Sequence, residues 1–370
     1  MDTALYLLSE FTFFRGRVAL CATLKASGIG AGAGVAVQSF TCLAVPEAVL
    51  ASGALPIFVD IEAGGFNMNA DDLESKLTSQ IKAIVVQHTY GIPADMDRIA
   101  RIAAMHGIPI IEDCCHTLAS TYKGRTIGSF GVGSFYSFEW GKPVVAGIGG
   151  SARINDPALL EKVQTAYAGY RSPDLVSQAR IELQYRAFHL LYRPALYWPI
   201  RALFHWLGSL DLAESNYNPV GQGQIADDFS FRMAPAVKRR MINKLQNLES
   251  QMLHSQWVSE QYRQRILSDA VTHPNLPDGC KTIFARYPLL AKNKPALLSK
   301  ARRACVELAE WYATPVHPLA EQDLPQVHYK MESCPNAEAR SREVVTLPVH
   351  GMVRQRDIDR TVEFLNRADV

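Results

Sequence analysis

The chain has 370 residues, 48% hydrophobic and 20% charged, and 38 basic against 36 acidic side chains leave a formal charge of +2. This composition excludes a disordered chain and offers no electrostatic footprint for nucleic acid. No apolar run reaches the length needed to span a bilayer.

The seven cysteines form no CxxC pair, and the adjacent Cys114 and Cys115 suit neither a zinc site nor a disulfide framework. Asp2 and Glu10 stand where a signal peptide needs a basic leader. Together these features predict a cytoplasmic protein with reduced thiols and no metal.

Along the chain, helical spacing covers residues 18–27, and glycines follow at 28, 30, 32 and 34. Ala33 breaks the dinucleotide-binding spacing, and the cluster follows a helix rather than opening one. It reads as a helix cap and turn, which excludes a nicotinamide site. Short apolar strands are predicted at 35–37, 56–60, 83–86, 108–111 and 134–138, alternating with helices at 44–51, 70–77 and 96–105. Continuous apolar strands between amphipathic helices predict an α/β fold: a mostly parallel, doubly wound sheet covered on both faces.

Residues 183–208 differ, being rich in aromatics, interrupted by Pro194 and Pro199, and accompanied by Arg186, Arg193 and Arg201. One reading is a membrane-surface patch. The preferred reading is a helical insertion, about 180–210, packed on the core or on a second subunit, because proline interrupts a long amphipathic face. Beyond it, 233–264 predicts one long helix with Met241, Leu245, Leu248 and Met252 on one face, and Lys238, Arg239 and Arg240 on a solvated face. A strand at 282–291, a helix within 295–311 and a last helix at 357–368 complete a small α+β domain. The expected division is 1–230 for a large domain and 231–370 for the long helix and C-terminal domain.

The chemistry concentrates where the strand before Asp113 ends and where the strand through Ser137 delivers Lys142. Open α/β sheets bind ligands at such carboxyl edges. An acid to pair with a pyridinium nitrogen and a lysine to form a Schiff base are the two groups that pyridoxal phosphate (PLP) chemistry requires. The glycines at 147, 149 and 150 then allow a sharp turn into the next strand.

The order of several stretches resembles the DegT/StrS family of PLP-dependent nucleotide-sugar aminotransferases, of fold type I. The resemblance rests on Val37 through Thr41, Pro56 through Ile61, Gly91 through Asp97 and Ile111-Glu112-Asp113. It continues through Tyr122-Lys123-Gly124-Arg125, Tyr136-Ser137-Phe138 leading to Lys142, Phe231-Arg232-Met233 and Leu347 through His350. The resemblance implies that Lys142 is the Schiff-base lysine, Asp113 the partner of the ring nitrogen, and His116 the neighbour of the cofactor's phenolic oxygen. It implies cofactor phosphate binding by Ser137 and by the helix start at Gly16 and Arg17, where backbone N–H groups suit an anion.

The chain departs from the family pattern at four places. Arg17 replaces the usual Thr, Cys42 the aromatic that stacks on the cofactor, Ser230 the Asn given by a neighbouring subunit, and Ile148 a Glu. The expected function is transfer of an amino group from glutamate or a similar donor to a keto sugar carried on a nucleotide, by a homodimer with shared sites. The alternative is a non-catalytic homologue that binds PLP or a nucleotide sugar in a regulatory or assembly role.

Overall fold

The first strand, β1 (Phe11–Phe13), runs through extended Arg15 into α1 (Gly16–Ala26), which stops at Ser27 and the left-handed Gly28. The computed structural model describes residues 10–209 and 227–368, so Asp2 lies outside the described residues. Gly28 and Gly32 both have positive φ, as a cap and turn require, and β2 (Gly34–Gln38) follows. Next come β3 (Thr41–Cys42), α2 (Ala44–Ser52), β4 (Leu55–Val59), α3 (Ala70–Lys76) and β5 (Ile81–Gln87). The Asn69 side chain accepts the Asp71 and Asp72 N–H groups to cap α3, and Asp95 accepts that of Arg98 to cap α4 (Met96–His106).

The strand expected at 108–111 is shifted to β6 (Ile110–Asp113). Gly107 in the left-handed conformation ends α4, and Pro109 has no N–H to give to a ladder. A short hairpin, β7 (Thr121–Tyr122) and β8 (Arg125–Thr126), leads to β9 (Gly133–Ser137) and β10 (Gly150–Ile154).

The seven-stranded sheet has the order β1-β10-β9-β6-β5-β2-β4. From β4 to β9 all pairings are parallel; β10 and β1 add antiparallel strands at one edge. Alternate residues face opposite sides, so Val35, Val37, Val85, Ile111 and Phe135 join one core, whereas Ala36, Ile84, Val86, Ile110 and Tyr136 join the other. Both sets are apolar because helices cover both faces, which is the reason for the unbroken hydrophobic strands.

After α5 (Pro157–Tyr167), the insertion consists of α6 (Leu175–Leu191) and α7 (Tyr197–Ser209), beginning at the Asp174 cap rather than near 180. Its inner side is anchored. Tyr192 Oη donates to Glu307 Oε2 at 2.5 Å, Trp198 Nε1 donates to the Val306 carbonyl at 2.8 Å, and the Phe188 ring lies 4.1 Å from that of Trp140.

The single long helix expected at 233–264 is two helices, α8 (Pro235–Leu245) and α9 (Leu248–Arg265). At the break, Asn247 Nδ2 donates to the Asn243 carbonyl and Gln251 Nε2 to that of Lys244, so side chains satisfy carbonyls the ladder leaves over. Arg240 is not solvated either. It donates to the Ala146 carbonyl at 2.7 Å, pairs with Glu182, and lies 3.5 Å from the Tyr185 ring centroid.

The remaining chain contains β11 (Val271–Thr272), β12 (Cys280–Lys281), β13 (Arg286–Ala291), α10 (Lys294–Arg303), β14 (Val316–His317), α11 (Pro335–Glu343), β15 (Val344–Pro348) and α12 (Gln355–Asn366). The strand expected from 282 thus starts at Arg286. Strands β11, β13 and β15 form an antiparallel sheet. Two short pairings return to the large sheet's end of the molecule: β12 with β7, and β14 with β3, which sets His317 opposite Cys42.

Candidate active site

The pairing register sets Asp113 between Gln87 and Phe135, at the carboxyl edge of the parallel strands. Its side chain is buried, and Oδ1 accepts the Cys115 N–H at 2.9 Å. Burial pushes its pKa above the usual carboxylate range, against the Cys115 N–H and the charge of Lys142.

One residue earlier, Glu112 belongs to the opposite face of the strand. Its Oε1 accepts N–H groups of Phe130 (2.6 Å) and Gly131 (2.9 Å), and its Oε2 accepts that of Gly128 (2.7 Å). His88 Nδ1 accepts the Ala94 N–H, so its Nε2 carries the proton and faces Glu112 Oε2 at 3.4 Å. Burial opposes ionisation of Glu112, but the bonds from His88, Gly131 and Gly128 hold its pKa below the usual range. Cys114 is close enough to complete a three-ligand cluster. The Glu112 oxygens are already engaged by the loop, so the group serves as a support for β6.

His116 is also buried. The Tyr90 N–H donates to its Nδ1 at 3.1 Å, which puts the proton on Nε2, 3.3 Å from Tyr312 Oη. Burial, aided by the Lys142 charge, depresses its pKa well below the ordinary value and keeps the ring neutral.

Lys142 follows β9 on a turn in which its N–H donates to the Glu139 carbonyl and Gly141 takes positive φ. Its Nζ lies 4.9 Å from the Trp311 ring centroid, and Trp311 lies 4.7 Å from the His116 ring. The structure therefore brings Lys142, Asp113 and His116 into one cluster walled by Trp311 and Tyr312. These two aromatics were not legible as site residues. They sit in an irregular segment just before β14, and only the β14–β3 pairing carries that segment back to the sheet edge.

At the other end of the cluster, the start of α1 meets the end of β9. A Cβ on Gly16 would stand 3.2 Å from Ser137 Cβ and from the Tyr136 carbonyl oxygen, so glycine permits this approach of helix start to serine. Arg17 is turned elsewhere: its guanidinium pairs with Glu47 at 2.9 Å and Asp228 at 2.6 Å. Arg15 binds the same Asp228 oxygen at 3.0 Å and Glu139 at 2.8 Å. Burial pushes the Glu47 pKa up to about 7, against the Arg17 charge. Nothing near Arg17 in the sequence marks Asp228 as its partner; the two are 211 residues apart.

Ser230 is half-buried, donating from Oγ to the Asp227 carbonyl at 2.7 Å and accepting from Arg171 at 3.3 Å. Cys42 is half-buried beside β14.

The donor set fits pyridoxal phosphate. A buried acid at the strand edge would suit the ring nitrogen, a neutral histidine N–H and a lysine amine lie close by, and a helix start against a serine would suit the phosphate.

A family profile described as the DegT/DnrJ/EryC1/StrS aminotransferase family matches residues 11–177 and 229–366. The chain belongs to this family. Among similar proteins, GDP-perosamine synthase of Escherichia coli O157:H7 is 39% identical over 151 residues, 41% of this chain and 42% of that protein. UDP-N-acetyl-3-dehydro-alpha-D-glucosamine 3-aminotransferase of Acidithiobacillus ferrooxidans is 25% identical over 353 residues, 95% of this chain and 82% of that one. In three dimensions the chain resembles a DegT DnrJ EryC1 StrS aminotransferase from Brucella abortus, with a TM-score of 0.72, 25% identity and coverage of 96% of this chain and 84% of that one. As a DegT/StrS aminotransferase the protein has the fold type I architecture and is PLP-dependent.

Proposed function

We propose that this DegT/StrS aminotransferase holds pyridoxal phosphate on Lys142 and aminates a nucleotide-linked keto sugar, taking the amino group from glutamate or a similar donor. The observation that carries this reading is the convergence of the Lys142 amine, the buried Asp113 carboxyl and the neutral His116 on one walled cluster. The names of the similar proteins support a sugar as acceptor and a place in amino-sugar or polysaccharide biosynthesis.

Bound pyridoxal phosphate supplies an electron sink for the carbon that bears the amino group. Asp113 holds a proton on the ring nitrogen, which keeps the ring able to accept electrons. With the cofactor bound, Lys142 Nζ would act as a positioned general base and acid, taking and returning the proton of the substrate carbon. His116 offers its Nε2–H towards the phenolic oxygen. Gly16 and Ser137 bind the phosphate. The Trp311 indole excludes water from the amine.

Ser230 enters the reading as a residue lent to a neighbouring subunit's phosphate, with Cys42 beside the cofactor ring; Arg17, taken up by Glu47 and Asp228, is not assigned to the phosphate. The enzyme is read as a cytoplasmic homodimer. Support comes from the family resemblance, from free cysteines throughout the described residues, and from the absence there of any helix long and apolar enough to cross a membrane.

The test is spectroscopic. Purified protein should carry the visible cofactor band, glutamate should bleach it, and Lys142→Ala should lack it. A band that no amino donor moves would overturn the reading in favour of the non-catalytic homologue. A keto-sugar screen monitored at the same band then identifies the acceptor.

A further inference from the structure

The family profile stops at residue 177 and resumes at 229, so most of α6 and all of α7 are additions to the shared scaffold. Their inner side is held by Tyr192, Trp198 and Phe188, as described above. Their outer side is unusual. On α6, Val176, Leu183 and Leu190 recur every seven residues, which is about two helical turns, and Leu183 and Leu190 are 72% and 77% exposed. In the turn before α7 and along it, Leu196, Pro199, Leu203 and Trp206 follow at spacings of three and four, again one face, and all four are exposed. Well-folded soluble proteins rarely present large apolar side chains at this density without an occupant.

The charge on these helices identifies the occupant. Residues 175–209 contain four arginines and one acidic residue, Glu182, a net charge of +3 where the entire chain has +2. The positive excess belongs to these two helices alone: residues 210–228, which complete the gap in the profile, hold four acidic and no basic side chains. Glu182 itself is taken up by Arg240 and Arg186. On the outer side, Arg180, Arg186 and Arg193 are interleaved with the leucines, and Glu182, which pairs with Arg186, is the one acidic residue of the two helices. Two copies joined symmetrically through this face would set its arginines against one another, which disfavours self-association. An apolar face edged by arginines and a tryptophan matches the surface of a bilayer containing anionic lipid, where arginine reaches headgroups and leucine enters the acyl boundary.

We propose that α6 and α7 form a peripheral docking surface for an anionic membrane, lying in its plane without crossing it. Such docking would hold the enzyme where a membrane-bound acceptor consumes its water-soluble product.

The test is co-sedimentation of the full-length protein with phosphatidylcholine vesicles, with and without about one-third phosphatidylglycerol. The proposal expects binding to the anionic vesicles only, weakening as salt rises. Leu183→Glu with Leu190→Glu should lower vesicle affinity at least about tenfold. Arg180→Glu with Arg193→Glu should do the same while removing the salt dependence. All four positions are exposed, so both variants should retain the thermal midpoint and the cofactor band of the parent. Failure to bind anionic vesicles, or equal binding by parent and variants, overturns the proposal. So does light scattering that shows the parent to be an oligomer which Leu183→Glu/Leu190→Glu dissociates, since the face would then be a subunit contact.

Discussion

Glu112→Gln tests the support beneath Asp113. The carboxylate meets four donors: the N–H groups of Phe130 and Gly131 at one oxygen, and of Gly128 and His88 at the other. A glutamine amide has one oxygen, so its NH2 must face two donors whichever way it turns, and at least one buried backbone N–H loses its partner. Hydrogen bonds to a charged acceptor contribute about 1.5–3 kcal/mol, and an orphaned buried donor costs about 1–3 kcal/mol. The variant should therefore lose about 3–5 kcal/mol of stability at neutral pH, measured by urea unfolding. Because Glu112 titrates below an ordinary glutamate when folded, its contribution is full above the unfolded value of 4.5 and is lost as pH falls through the lower folded value. The gap between parent and variant should narrow correspondingly in acid. Since β6 also carries Asp113, cofactor affinity should fall with stability. A loss below about 1 kcal/mol at neutral pH would refute the reasoning.

Asp113→Asn cannot hold the ring nitrogen's proton by charge, and turnover should drop about 100-fold or more while absorbance still reports bound cofactor. Trp311→Ala removes the indole beside Lys142 and His116; equilibrium dialysis should show cofactor retention weakened a few-fold, as the loss of one aromatic contact predicts. Glu307→Gln strips buried Arg286 of its 3.0 Å partner and frees Tyr192, at about 3–5 kcal/mol, and limited proteolysis should then cut within the insertion. Burial lowers the His317 pKa from 6.5 to about 3, so its contribution is full above pH 6.5 and is lost as pH falls towards 3. His317→Asn should flatten the acid limb of the stability profile by about 1.4 kcal/mol per pH unit.

Local chemistry made much of this protein readable from its residues. The alternating apolar strands and helices specified a mostly parallel sheet, because burial on both faces leaves a signature in each strand. Asp113, Ser137 and Lys142 could be singled out because strand ends and the turns after them are local features at the edge where such sheets bind ligands, whereas the roles proposed for them came from the family resemblance. The helix break at Asn247 was missed because the hydrophobic stripe runs on across it, while the carbonyls that end α8 are satisfied by side chains four and seven residues later. The fate of Arg17 was decided by Asp228, and the aromatic wall by the pairing of β14 with β3, across separations of 211 and more than 250 residues. No spacing rule encodes such meetings, since they depend on how whole elements pack. The insertion shows both sides: its composition announced arginines among leucines and aromatics, but only the tertiary structure decided which face is anchored to Glu307 and Val306 and which is left to solvent.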